Sequence, residues 1–290
     1  SPYSDRWSVN FDGENDWVAF PSNSNYELDG EFTLEFWFNT TNISVDTFWR
    51  RIMCLGIDTA GTVNETDAAP SITFESGLNL VWRGSGNILT TSASGLDDGN
   101  WHHVAFSRDA SNNFRMYLDG TNVDTTTYTT TITGGSLQGL LFGTFKSVDG
   151  RGDYSGYLSD FRLVKGTALY TAASINVPTE PLTAVSGTVA QTFNNNRFYE
   201  SVQGNVNNVK NGYPKVTSYG PYFQSTTYDV DTYIGSGYFD SGSDVRTAAD
   251  SDEFDLADKD FTIEAWVYMT STDSAEDYVW GQYDASFRSV

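Results

Sequence analysis

The feature that most constrains this chain is the spacing of its apolar residues, which is two. FTLEFWF (Phe32–Phe38) sends Phe32, Leu34, Phe36 and Phe38 to one face and Thr33, Glu35 and Trp37 to the other. WHHVAFSR (Trp101–Arg108) groups His102, Val104 and Phe106. FRMYLDG (Phe114–Gly120) groups Phe114, Met116 and Leu118, then turns at Asp119-Gly120, a hairpin dipeptide. GLLFGTF (Gly139–Phe145) and GYLSDFRLV (Gly156–Val164) extend the series. Only GTALYTAA (Gly166–Ala173), ahead of Pro178 and Pro181, reads as a short helix or turn. Short strands divided by Gly, Asn and Asp clusters predict an all-β fold: an antiparallel β-sandwich or jelly roll with an aromatic-rich core.

At 290 residues there is room for one large domain or two ordinary ones. The first copy of a repeated pattern begins near Trp7. Phe11, Asp12, Asp16, Tyr26 and Leu28 recur as Phe239, Asp240, Asp244, Phe254 and Leu256. After one insertion, Phe32, Thr33, Leu34, Glu35 and Trp37 recur as Phe261, Thr262, Ile263, Glu264 and Trp266. Ser1-Pro2-Tyr3 precedes the first copy as Gly220-Pro221-Tyr222 precedes the second. The expectation is a window on a tandem array with a period of roughly 220–230 residues. Residues 1–6 would end a preceding bridging segment, 7–182 form one jelly roll, 183–236 an Asn-rich bridge, and 237–290 the start of a second jelly roll.

Charge and apolar content exclude some partners. Sixteen basic against 38 acidic residues leave a net charge of −22, which argues against nucleic acid, since phosphate binding needs clustered Lys and Arg. No apolar run reaches the ~20 residues that span a bilayer, so membrane insertion is not expected. The single cysteine, Cys54, sits in the apolar run RIMCLGI; it cannot form an intrachain disulfide and reads as a small core hydrophobe.

WHHVAFSRDASNNFRMYLDG (Trp101–Gly120) resembles the central signature of laminin-G-like, concanavalin A-like jelly rolls: Trp-His-His-Val, a short turn, then a strand ending Tyr-x-Asp-Gly. YLSDFRLVKGTALYT (Tyr157–Thr171) resembles that family's closing strand and exit turn, and the opening Phe11-Asp12-Gly13 fits as well. FRLVKGTALYT, followed by NRFYESVQGN, SYGPYF and GSGYFD, is similar in wording to tandem modules of structural proteins in marine tailed bacteriophages, such as tail fibres, tail tips and decoration proteins. Such modules also occur in bacterial surface proteins.

The superfamily includes glucanases, whose catalytic strand carries a Glu-x-Asp-x-x-Glu pattern; no strand here has it. Asp250, Asp252 and Glu253 lie in a turn-rich stretch, and His102 and His103 match the structural signature, so no enzymatic activity is expected. The resemblance implies a calcium ion bound by loop oxygens, with Asp12, Asp16, Asp58, Asp149, Asp153 and Asp160 as donors; surface Asp residues capping turns are the alternative. Exposed aromatics of a jelly roll can stack on sugars, and Trp49, Trp82 and Tyr154 are the candidates. Trp49 stands beside Arg50 and Arg51, whereas Trp82 shares a face with Leu78 and Leu80 and could equally be core. Arg151-Gly152-Asp153 spells an integrin-binding tripeptide within a Gly/Asp-rich loop, and the sequons at Asn39, Asn42 and Asn64 are ordinary for so Thr-rich a chain.

The resemblance therefore implies a non-enzymatic structural or adhesive module on a virion surface. Its partners would be other virion subunits, copies of itself or a host surface glycan. The alternative is a carbohydrate-binding adhesin, secreted or on a bacterial cell surface.

Overall fold

The computed structural model describes residues 7–43, 49–55, 70–75, 79–84, 86–134, 139–144, 152–195, 198, 202, 209–211, 214–217, 219–222, 283–284 and 287–288. Their regular structure is β throughout apart from one 3-10 turn, Ser24–Tyr26, opened by the Asn23 side chain accepting from the Asn25 N–H. Gly166–Ala173 forms bends rather than a helix.

The strands are β1 (Ser8–Asp12), β2 (Trp17–Phe20), β3 (Phe32–Asn39), β4 (Arg50–Leu55), β5 (Ser71–Glu75), β6 (Asn79–Arg83), β7 (Asn87–Ser92) and β8 (Trp101–Arg108). They continue with β9 (Asn113–Leu118), β10 (Thr121–Thr127), β11 (Leu140–Phe142), β12 (Ser155–Lys165), β13 (Thr188–Thr192), β14 (Val209–Asn211) and β15 (Lys215–Thr217). One sheet runs β10-β9-β8-β3-β12-β1-β15, with β13 also on β12; the other runs β14-β2-β11-β4-β5-β6-β7. Each pairing is antiparallel.

The two inner faces meet in one apolar cluster, as the alternation predicts. Phe32, Leu34, Phe36 and Phe38 of β3, with Val104, Phe106, Phe114 and Met116, pack against Ile72, Phe74, Leu80 and Trp82 of the facing sheet. Phe38 lies 5.7 Å from Phe74 and Phe161 lies 4.9 Å from Phe142, edge-on in both cases, which joins the layers. Burial of this many large side chains is the main stabilising contribution to the fold.

A break in the alternation of β12 sets the outer face. Leu158 points inward, and so does Phe161 three residues later, because the register against β3 shifts between Ser159 and Arg162. Asp160 takes φ +50° at this bulge, and its N–H donates to the Phe193 carbonyl. Before the bulge β12 pairs with β1; after it, with β13. Gly156, just upstream, approaches the Asn39 carbonyl so closely that a Cβ would overlap it.

The residues after Pro181 add strands to both sheets. β13 pairs with β12, β14 with β2 and β15 with β1. The chain divides into two units, Ser1–Ser236 and Gly237–Val290. The second copy of the repeat lies almost wholly outside the described residues; Tyr283–Asp284 pairs with Phe287–Arg288 there.

Candidate functional site

Each sheet has an outer face, and the two differ. On the eight-stranded sheet the outward positions Thr33, Glu35 and Trp37 are as buried as the inward ones. The stretch leaving β12 crosses them: the Leu169 N–H donates to Thr33 Oγ1, Tyr170 donates to Glu35 Oε2 at 2.8 Å, and Tyr117 donates to the Ala172 carbonyl. Glu35 also accepts Arg162 Nη2 at 2.5 Å and Nε at 3.1 Å, and meets His103 Nε2 at 3.2 Å. Burial acts to raise the Glu35 pKa, but His103 and Arg162 outweigh it and hold the carboxylate below its ordinary value. Further along, Tyr219 packs on Tyr157 (5.0 Å) and Trp101 (5.5 Å), while Tyr222 stands edge-on to Trp37 at 6.0 Å. Asn39 Nδ2 donates to the Tyr219 hydroxyl, and the Ser8 hydroxyl donates to the Tyr219 carbonyl. This face is closed by the chain itself.

The seven-stranded sheet carries a polar corner in which Arg51, Ser71, Thr73, Glu75 and Val81 are buried and Trp49, Asn79 and Arg83 are half-buried. Its outward residues include Arg51 on β4, Ser71, Thr73 and Glu75 on β5, and Asn79, Val81 and Arg83 on β6. Half-buried Trp49, just before β4, lies against them. The Arg83 guanidinium carbon is 3.8 Å from the Trp49 ring centroid and that of Arg51 is 5.9 Å away. Arg83 Nη1 donates to Glu75 Oε1 and to Asn87 Oδ1, both at 2.9 Å, and Asn87 Nδ2 donates to Glu75 Oε2. Arg51 Nη1 donates to the Ser71 hydroxyl, and Arg50 Nη1 to the Asp153 carbonyl. The corner thus combines an indole, two guanidinium groups stacked near it, a carboxylate and a primary amide. That donor and acceptor set suits polyhydroxylated ligands.

Of the three aromatic candidates, Trp49 alone reaches this surface. Trp82 is 2% exposed and packs on Phe32, Phe106 and Phe114 in the core, so it offers no face to a ligand. Tyr154 is fully buried, with its hydroxyl donating to the Asn39 carbonyl. Arg83, Glu75 and Asn87 escaped the sequence reading. The alternation of Ser71–Glu75 and Asn79–Arg83, which sends Glu75 and Arg83 outward from a pair of strands, was the available signal.

The acidic candidates serve turns. Asp16 Oδ2 accepts the Asp12 N–H, and Asp12 Oδ1 accepts the Glu14 N–H. Asp153 Oδ2 accepts the Asn15 N–H at 2.6 Å and Oδ1 the Thr144 hydroxyl at 2.5 Å. Asp160 is buried in β12 rather than on a loop. Asp58 and Asp149 lie outside the described residues. Among the described residues no three acidic, imidazole or thiol side chains converge to hold a metal. Of the integrin-type tripeptide, Asp153 is 0% exposed and Arg151 lies outside the described residues. Cys54 lies with Trp17, Ala19 and Leu141 in a second apolar cluster, and burial pushes its thiol up to about 11, as expected of an inert structural cysteine. Among the described residues no helix is long and apolar enough to cross a membrane.

Residues 12–176, more than half of the chain, match the family model of the concanavalin A-like lectin/glucanases superfamily, of laminin-G type. The chain belongs to this superfamily. Its fold is also similar to that of a Bacteroides ovatus protein whose assigned role is carbohydrate binding. That likeness has a TM-score of 0.52 and 16% identity over 73% of this chain and 59% of that one, so this laminin-G-type chain spans under two thirds of the other's length. A Ruminococcus gnavus IT-sialidase CBM40 bound to α2,3 sialyllactose matches with a TM-score of 0.42 and 11% identity, over 58% of this chain and 95% of that one. No curated protein matches the sequence.

Proposed function

We propose that this laminin-G-type module is a non-catalytic carbohydrate-binding domain that works outside the cell or on a particle surface. The observation that carries the reading is Trp49, half-buried on the outer face of the seven-stranded sheet, with Arg83 stacked on it and Glu75 and Asn87 alongside. The role assigned to the Bacteroides ovatus protein agrees with it. On the opposite sheet the outward carboxylate of β3, Glu35, is neutralised and covered, and does not form the exposed pair that glycoside hydrolysis requires. Weak sites of this kind gain avidity when modules are repeated along a chain.

The finer setting is a structural or adhesive module of a tailed-phage virion, in contact with neighbouring subunits, other copies of itself or a host glycan. Its support is the wording of Phe161–Thr171 and the repeat of Phe11–Trp37 at Phe239–Trp266. The bacterial surface adhesin is the rival setting, supported by the same site. A glycan array probed with the parent chain and with Trp49→Ala tests the binding role. Signal lost with Trp49→Ala supports it, and an array without signal at any saccharide ends it. An electron-microscopy map of the source assembly separates the settings: symmetry-related copies on a tail or capsid support the virion, a wall-attached chain the adhesin.

A further inference from the structure

His102, at the start of β8, stands between two carboxylates at unequal distances. Its Nδ1 lies 2.7 Å from Asp119 Oδ2, the length of a charge-assisted hydrogen bond, so this contact holds the ring proton. Its Nε2 lies 3.3 Å from Asp98 Oδ1, which is long for such a bond. With Nδ1 protonated, the neutral ring turns the lone pair of Nε2 toward a carboxylate oxygen. Two acceptors that face each other need a proton or a metal ion between them.

The spacing suits a metal ion. Zinc takes an imidazole nitrogen at about 2.0–2.1 Å and a carboxylate oxygen at about 2.0–2.2 Å, so two such ligands at a tetrahedral angle stand about 3.3–3.5 Å apart. The surrounding contacts suit one too. A metal-binding imidazole gives its other N–H to a carboxylate, and a metal-binding carboxylate is itself hydrogen-bonded. Asp119 meets the first condition, and its Oδ1 is fixed by the His103 N–H at 2.9 Å. Asn100 meets the second, with its backbone N–H on Asp98 Oδ1 at 2.8 Å and its Nδ2 on Oδ2 at 2.7 Å. An ion reaches the site from solvent, because the side chains of Asp98 and Asp119 are 41% and 46% exposed. The net charge of −22 concentrates cations at such a surface.

We infer that His102 Nε2 and Asp98 Oδ1 bind a divalent transition metal of the zinc type, with Asp119 as the positioning residue and water in the remaining places. Two protein ligands make a weak, exchangeable site, and calcium is not its ion, because calcium takes oxygen ligands. The site is independent of the Trp49 corner and of the carbohydrate-binding reading.

The test titrates the dialysed full chain with zinc chloride at about pH 8, where the ion meets a deprotonated ring. One zinc per chain should bind and raise the melting temperature, and calcium should do neither. The chain has two histidines and His103 is fully buried, so the ring-nitrogen NMR signals report each one: zinc should shift His102 Nε2 and leave His103 in place. His102→Gln and Asp98→Asn should each abolish the rise in melting temperature. Asp119→Asn keeps both ligands and should weaken binding about 10–100-fold while zinc still shifts the His102 signal. Zinc binding that His102→Gln retains belongs to scattered surface carboxylates and overturns the inference. So does a His102 signal in the parent chain that zinc leaves unmoved, a result that depends on no variant folding.

Discussion

Glu35 on β3 and Arg162 on β12 form a two-point ion pair, Nη2 at 2.5 Å and Nε at 3.1 Å from Oε1, with the Glu35 side chain entirely out of solvent. Tyr170 and His103 complete the shell, so the pair ties the sheet to the stretch that leaves it. Glu35→Ala leaves the buried Arg162 guanidinium without its carboxylate, keeping the Thr183 carbonyl as acceptor, and should cost about 3–5 kcal/mol. Replacing both members, Glu35→Leu with Arg162→Met, should recover much of that loss, because no buried charge is left unpaired. Chemical denaturation of the single and double variants measures the difference.

Trp49 and Trp82 separate binding from stability. Trp82→Ala removes an indole packed on three Phe rings and should cost about 3–5 kcal/mol. Trp49→Ala should change stability by no more than about 1 kcal/mol and abolish saccharide binding. Paired melting curves and titrations distinguish the two outcomes.

His102 provides a pH dependence. It sits between Asp119 (Nδ1, 2.7 Å) and Asp98 (Nε2, 3.3 Å), its ring 5.6 Å from Phe38. Burial acts to lower its pKa, but the Asp119 and Asp98 carboxylates prevail and raise it. A raised histidine value means the contribution is fully present below the unfolded value of about 6.5 and is lost as pH climbs through the folded one. Both carboxylates are open to solvent, so the effect should stay within about 1 kcal/mol. Melting temperature followed from pH 6 upward should fall for the parent chain and run flatter for His102→Gln.

The clasp made by Tyr219 predicts where the first module ends. Its ring is 6% exposed between Tyr157 and Trp101, and β15 beside it completes the sheet edge at β1. Tyr219→Ala should cost about 3 kcal/mol and Tyr219→Phe, which loses the hydroxyl that accepts from Asn39, about 1 kcal/mol. Limited proteolysis should cut Tyr219→Ala within 209–222 first. A chain ended at residue 182 should melt well below one ended at 222.

Asp12, Asp16 and Asp153 already accept backbone and hydroxyl hydrogens, so a chelator should leave the melting temperature of the chain unchanged. A rise on adding calcium would overturn that.

The strand alternation was legible because it is local. Phe32, Leu34, Phe36 and Phe38 declare a sheet face whatever the rest of the chain does, and the laminin-G signature around Trp101–Gly120 named the superfamily before any coordinates. Some of the site was legible too, since Trp49 beside two arginines is visible in the order of residues.

Three things required the tertiary structure. Trp82 and Trp49 are both tryptophans beside arginines in sequence, and only the packing of two sheets buries one and leaves the other at the surface. Asp160 falls within a strand by its sequence, yet no residue type announces the bulge there, which turns Leu158 and Phe161 to the same face. Glu35, placed by alternation on the face opposite Phe32, Leu34, Phe36 and Phe38, is covered by Tyr170, which arrives from 135 residues away. Period and signature are properties of neighbours along the chain. Burial depends on which distant segment comes to lie on a face, and that is decided only when the whole apolar surface is closed at once.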